Sequence, residues 1–176
     1  MIKVNLGCGT NRLDGWQNYD EDLDITRPLP FGDDTVDFIL AEHVVEHVPY
    51  VAAIGFLREC RRVLVSGGVA RIIVPSVERI MLHADADYLK FVSRWTTEPG
   101  VRGAMGAILH AHGHQTAWTE GLLRATLFYA GLTPAHCDPG QSMHDELRDV
   151  DGHAKVIGWR NNWIESSVFE GTKEGT

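Results

Sequence analysis

Val36-Asp37-Phe38-Ile39-Leu40-Ala41 is a mostly apolar run of strand-forming residues entered through Gly32-Asp33-Asp34, and it reads as a buried strand of a parallel sheet. From Pro49 to Leu64, the residues Ala53, Phe56, Leu57, Cys60, Val63 and Leu64 recur at helical spacing, while Arg58, Glu59, Arg61 and Arg62 fall mainly elsewhere. That pattern predicts an amphipathic helix, closed by Gly67-Gly68. Val69 to Val74 is a second apolar strand, stopped by Pro75. Strand, helix and strand in this order imply a right-handed crossover with parallel pairing, so the fold class is α/β.

Working outward, Ile2-Lys3-Val4-Asn5-Leu6 alternates at period two and runs into the pair Gly7 and Gly9, a strand ending in a tight turn. Downstream, Thr119 caps a helix whose stripe is Leu122, Leu123, Thr126, Leu127 and Ala130, closed by Gly131. A strand at Leu132 to Cys137 follows, and Ser166 to Thr172 reads as a last strand returning to the sheet edge. Residues 77–118 mix a helical stretch around Ile80 to Trp95 with Pro99, glycines and the histidines His110, His112 and His114; they read as a helical insertion or lid. Residues 138–163 are polar and glycine-bearing and read as a loop on the acceptor side of the site.

The 176 residues suit one domain spanning 1–176, with 44% hydrophobic and 23% charged residues in the usual globular range. No apolar run approaches the roughly 20 residues that span a bilayer, and the N-terminus enters a strand without a signal-peptide core, so a cytoplasmic protein without membrane contact is expected. Cys8, Cys60 and Cys137 are widely spaced and read as free thiols. A formal net charge of -8 argues against a reader of phosphate backbones, and so for a small-molecule partner rather than nucleic acid. Oligomeric state is not legible.

Asn5-Leu6-Gly7-Cys8-Gly9-Thr10-Asn11 has the two glycines that a sharp turn and close backbone approach of a ligand require. A dinucleotide fingerprint needs a third glycine where Arg12 stands, which disfavours a nicotinamide oxidoreductase. A nucleoside joined to an amino acid has no pyrophosphate to cradle, and two glycines suffice for it. The structural alternative is an ordinary tight turn.

Around Gly7 and Gly9 the stretch resembles motif I of the class I S-adenosylmethionine-dependent methyltransferases, and Leu29-Pro30-Phe31-Gly32-Asp33-Asp34-Thr35-Val36-Asp37 resembles that superfamily's segment before its fourth strand. Glu42-His43-Val44-Val45-Glu46-His47-Val48 is similar to the segment after that strand, and Arg58 to Leu64 with Gly67-Gly68 is similar to the following helix and turn. The likeness is closest to small methyltransferases related to the type 11 group and is concentrated in residues 2–75. It implies a Rossmann-like sheet, mostly parallel with an antiparallel last strand, and S-adenosylmethionine as cofactor. It further implies that Asn5, Gly7, Cys8 and Gly9 hold the methionine moiety, Asp20 the ribose, Asp24 and Ile25 the adenine, and Glu42 and His43 the sulfonium end. Two departures stand out: Asn5 replaces an acidic residue, and only ten residues separate Gly9 from Asp20, so the first helix is trimmed to a loop.

Methyl transfer from a sulfonium needs positioning and a dry site, with a base only where the acceptor must lose a proton. Histidine titrates near neutrality, which makes His43 and His114 the candidate catalytic residues, with His47 behind them. The resemblance implies a small-molecule or glycan-type acceptor. Trp95, Trp118, Trp159 and Trp163 fall in the segments left to cover it, either stacking on the acceptor or packing the core. Competing readings are a zinc hydrolase built on the His43/Glu46/His47 spacing, a metal at His110, His112 and His114, and a domain that binds a nucleoside ligand without turnover. Pro49 stands against the hydrolase, because it ends the helix that spacing needs, and no metal site is expected.

Overall fold

The computed structural model describes residues 1–175. Strand β1 (Lys3–Leu6) buries Val4, Asn5 and Leu6 and pairs in parallel with β2 (Gln17–Tyr19) on one side and β3 (Val36–Glu42) on the other. The connection from β1 to β2 contains no helix, as the short spacing predicts. Its backbone is satisfied instead by one side chain: Asn18 Oδ1 accepts from Leu13 N at 2.8 Å and Asn18 Nδ2 donates to the carbonyls of Leu13 and Trp16. Asn5 Nδ2 ties this knot to β1 by donating to Asn18 Oδ1 and to Asn11 O. A polar side chain thus does for this loop what helical hydrogen bonding would have done.

Helix α1 (Tyr50–Val63) buries Ala53, Phe56, Leu57, Cys60 and Val63 against the sheet. It ends earlier than predicted, and Gly67-Gly68 does not close it. Leu64 is already extended and opens β4 (Leu64–Pro75), while Gly67 takes φ 79° inside that strand, where the register with β3 shifts. The glycines serve a bulge in the strand rather than a helix end. From Val69 to Pro75 every residue of β4 is buried, as expected of a central strand covered on both faces.

Residues 77–118 carry α2 (Val77–His83), α3 (Ala86–Val92) and α4 (Gly100–His110). Ser76 caps α2 by accepting from Arg79 N, and Asp85 caps α3 by accepting from Tyr88 N. These helices share a small core of Ile80, Tyr88, Val92 and Ala104 with Ile164. Thr119 caps α5 (Glu120–Tyr129) through Leu122 N, and Gly131 leaves it at φ 86°, as the sequence predicts.

Strand β5 (Thr133–Cys137) lies at one edge of the sheet, and its Pro134 is tolerated there because one side of an edge strand needs no ladder partner. The segment read as a loop at 138–163 departs from expectation: it holds α6 (His153–Ile157) and most of α7 (Trp159–Glu165), separated by Gly158 at φ 85°. Both helices are too short to show a 3.6-residue period. A buried ion pair fixes the approach to them. Arg71 on β4 makes a bidentate pair with Asp151 at 2.8 Å and reaches Glu170 and the Gln141 carbonyl.

Strand β6 (Ser166–Thr172) is not at the sheet edge as read from the sequence. It lies between β4 and β5, antiparallel to both, and almost all of it is buried. The order is β2-β1-β3-β4-β6-β5, a mostly parallel sheet with an antiparallel last strand. Strand order reverses between β1 and β3, and α/β sheets bind ligands outside the carboxyl ends of such strands. Gly7 and His43 follow those two ends. No helix among the described residues is long and apolar enough to cross a membrane.

Candidate active site

The glycine turn leaves β1 with Gly7 at φ 64° and Gly9 at φ 45°. A side chain at Gly7 would overlap Val44, whereas the space over Gly9 is open. The first glycine is therefore required by packing and the second leaves bare backbone for a ligand. Between them Cys8 is buried, its amide donates to Tyr19 O at 2.9 Å, and burial pushes its thiol up. Cys8 is a wall, not a nucleophile.

Asp20 and Asp22 are exposed where β2 ends, with Asp22 Oδ1 accepting from Asp20 N. Asp24 is engaged locally: Thr26 donates to it from N and Oγ1, which holds the carboxyl below its usual range, and Arg27 lies 3.3 Å away. Ile25 is buried in the main core. Open backbone at Gly9 and the exposed carboxylates of Asp20 and Asp22 fit a ribose diol and a cationic ligand. Residues Gly7 to Gly9 and Asp20 would hold such a cofactor, while Asn5, with its amide spent on Asn11 and Asn18, would act by holding the turn in shape.

At the end of β3, Glu42 accepts from the amides of Gly152 and His153 at 2.6 and 3.0 Å. Burial raises its pKa. Asn11 on the glycine turn donates to Val150 O and receives Lys155 Nζ. The start of α6 thus lies across the glycine turn and couples it to the region beyond.

Past Glu42 opens a cavity of about 340 Å³ whose lining includes His43, His47, His114, His153 and Glu165, with apolar walls from Phe91 and Trp95 among others. His43 takes the left-handed conformation at φ 54°. Its Nδ1 faces Glu46 Oε1 at 3.2 Å and its Nε2 faces Ser166 Oγ at 3.3 Å. Burial opposes charge on this ring, but the hydrogen bond to Glu46 and the charges of Glu46, Glu42 and Glu165 outweigh it and raise its pKa.

The ring of His43 packs at a tilt against that of His153, whose Nε2 lies 2.7 Å from Glu165 Oε1; Tyr88 donates to the other oxygen of Glu165 at 2.7 Å. Burial works upward on the Glu165 carboxyl, yet the bond to His153 holds it below its usual range. The ring of His47 meets that of His114 edge-on at 4.8 Å, and burial lowers the pKa of His47.

The structure therefore brings His43, His47 and His114 to one cavity. It adds His153, Glu165 and Tyr88, which no local spacing marks. His110 does not join that lining, so the alternate histidines do not act as a set. Val45–His47 is one turn of 3-10 helix and Val48 is extended, which denies the His43/Glu46/His47 spacing the continuous helix a zinc hydrolase of that type needs. Of the four tryptophans, Trp118 is a fully buried core residue, Trp163 receives Arg79 over its ring, and only Trp95 lines the cavity.

Residues 18–72 match the sequence family described as a methyltransferase domain (Methyltransf_11). No curated protein matches the chain by sequence. Among solved structures, it is similar to a chain of the complex between the Haloferax volcanii Trm112 methyltransferase activator and its methyltransferase candidate, at 16% identity and a TM-score of 0.58, covering 99% of this chain and 83% of that one. It is also similar to a 1,6-didemethyltoxoflavin-N1-methyltransferase from Burkholderia thailandensis, solved with 1,6-didemethyltoxoflavin and S-adenosylhomocysteine, at 14% identity and a TM-score of 0.57, covering 99% and 71%. A methyltransferase candidate from Bacillus halodurans C-125 follows at 14% identity and a TM-score of 0.52, covering 98% and 92%. The fold is the Rossmann-like fold of class I methyltransferases.

Proposed function

We propose that the chain is an S-adenosylmethionine-dependent methyltransferase that methylates a small molecule bound in the cavity beyond β3 and β4; the family match over residues 18–72 and the fold support this reading. The cavity is of the size that takes one small ligand, and its walls are largely apolar with a few convergent polar groups. Unpaired thiols favour a reducing compartment, the cytoplasm.

One observation carries the reading: His153 joins the two halves of the site. Its backbone is held by Glu42, at the end expected for the cofactor, while its side chain lines the cavity expected for the acceptor. The cofactor supplies an electrophilic methyl group on a sulfonium that leaves as a neutral thioether. The chain supplies the rest. Glu165 fixes the His153 ring through Nε2, so the ring presents its other nitrogen to take a proton from an acceptor hydroxyl or amine as the new bond to carbon forms. Tyr88 holds Glu165, and the His43 ring packs against that of His153. Apolar walls exclude water from the transfer.

Transfer of labelled methyl groups from S-adenosylmethionine to a panel of small hydroxy and amino compounds tests this reading. Product with the wild type, and little with His153→Gln at unchanged cofactor affinity, is the expected result. Equal turnover by that variant would remove His153 from the chemistry.

A further inference from the structure

The chain from Glu46 to His47 meets the loop after α4 at one wall of the cavity. There a carboxylate oxygen of Glu46 and one ring nitrogen from each of His47 and His114 lie within 4.8 Å of one another. We infer that Glu46, His47 and His114 form a binding site for a divalent transition-metal ion that opens onto the acceptor cavity.

Three observations converge on this. Glu46 is fully buried, and while Oε1 faces His43 Nδ1, Oε2 is buried with no hydrogen-bond partner. An unpaired buried carboxylate oxygen is costly, and a cation would satisfy it. His114 is fixed by a hydrogen bond from Nδ1 to the carbonyl of Ile108, which places the proton on Nδ1 and leaves the Nε2 lone pair free. That is the arrangement by which proteins orient a metal-binding histidine. The two backbone segments are clamped together, because Gln115 N and Thr116 N both donate to the Glu46 carbonyl.

The donor set identifies the class of ion. Two imidazoles and one carboxylate suit zinc or ferrous iron, not calcium or magnesium, which prefer all-oxygen shells. Zinc holds such ligands at about 2.0–2.2 Å, so modest side-chain rotations would close the three atoms onto one ion. Three protein ligands leave a coordination position open, the hallmark of a reactive rather than a structural centre. His47 and His114 both line the cavity, so that position faces the acceptor. An acceptor hydroxyl bound there would lose its proton more readily, and His153 is in the same cavity to receive it. This role in catalysis rests on the methyltransferase reading; the existence of the site does not.

The test uses the full chain, stripped with chelator and dialysed against zinc or cobalt(II), with metal content and the cobalt visible spectrum as readouts. One equivalent per chain is expected, with His114→Ala and Glu46→Gln each weakening zinc by more than about 100-fold, beyond what loss of an outer-shell partner costs. His110→Ala, outside the triad, should retain the metal. Absence of stoichiometric metal in the folded wild type, or zinc binding indifferent to both substitutions, would overturn the inference. The wild-type cobalt spectrum decides even where a variant fails to fold. Binding of S-adenosylmethionine is measured separately on the same samples, and its failure would remove the methyltransferase reading while leaving the metal site standing.

Discussion

The imidazole rings of His43 and His153 meet at a tilt of 46° with centroids 4.2 Å apart, although one follows a central strand and the other opens a short helix near the end of the chain. The contact joins the Glu46–His43 pair to the Glu165–His153 pair. If His153 is the proton acceptor, His153→Gln should lower kcat by about 10²–10⁴-fold while KM and the cofactor Kd stay near wild type. Steady-state kinetics on the identified acceptor, with cofactor calorimetry alongside, separate the three constants.

The glycine turn gives a graded prediction. Gly7→Ala meets both a left-handed backbone and the Val44 side chain, and should cost about 1–3 kcal/mol together with loss of cofactor binding. Gly9→Ala meets only the backbone penalty, about 1–2 kcal/mol, because the space over it is open. Adding Val44→Ala should recover part of the stability of Gly7→Ala and none of Gly9→Ala. Urea midpoints of the five proteins measure this.

Arg71 and Asp151 are both fully buried and pair through two hydrogen bonds. Asp151→Asn removes the charge opposite a buried guanidinium and should destabilise by about 3 kcal/mol or more. Because Asp151 also accepts from Gly140 N, the approach to α6 should loosen first. Faster amide exchange at Gly152 and His153 than in β3 would report it.

Glu165 makes a pH prediction. Its folded carboxyl titrates below the ordinary value of 4.5, so the bond to His153 contributes stability that is present above that value and lost as pH falls through the lower, folded value. Glu165→Gln should therefore flatten the loss of stability on acidification below about pH 4.5. An acid limb identical to wild type would show that His153 and Glu165 do not pair as described.

The part of the fold legible in the sequence is the part where one residue pattern fills one element. Phe38 to Ala41, the stripe from Ala53 to Val63 and the cap at Thr119 are local signals, and the structure keeps each of them. The trimmed crossover was legible too, from the ten residues between Gly9 and Asp20. What stayed hidden depends on distant partners. Helices α6 and α7 are anchored by Asp151 on Arg71 and by Glu42 on Gly152, and neither pairing leaves a mark in local spacing. Gly67 reads as a helix stop, yet the bulge it serves is set by pairing with β3 and with Lys173. In the site, glycines and carboxylates near the first two strands were visible as a motif. His153 and Glu165 were not, since an ordinary polar segment contains them.

On the proposed function, the turn at Gly7 to Gly9 holds S-adenosylmethionine. Isothermal titration of the purified chain with S-adenosylmethionine and, in parallel, with NAD tests it most directly. One site of micromolar affinity is expected for the first and none for the second. No binding of S-adenosylmethionine by folded protein, or binding of NAD in its place, would contradict it.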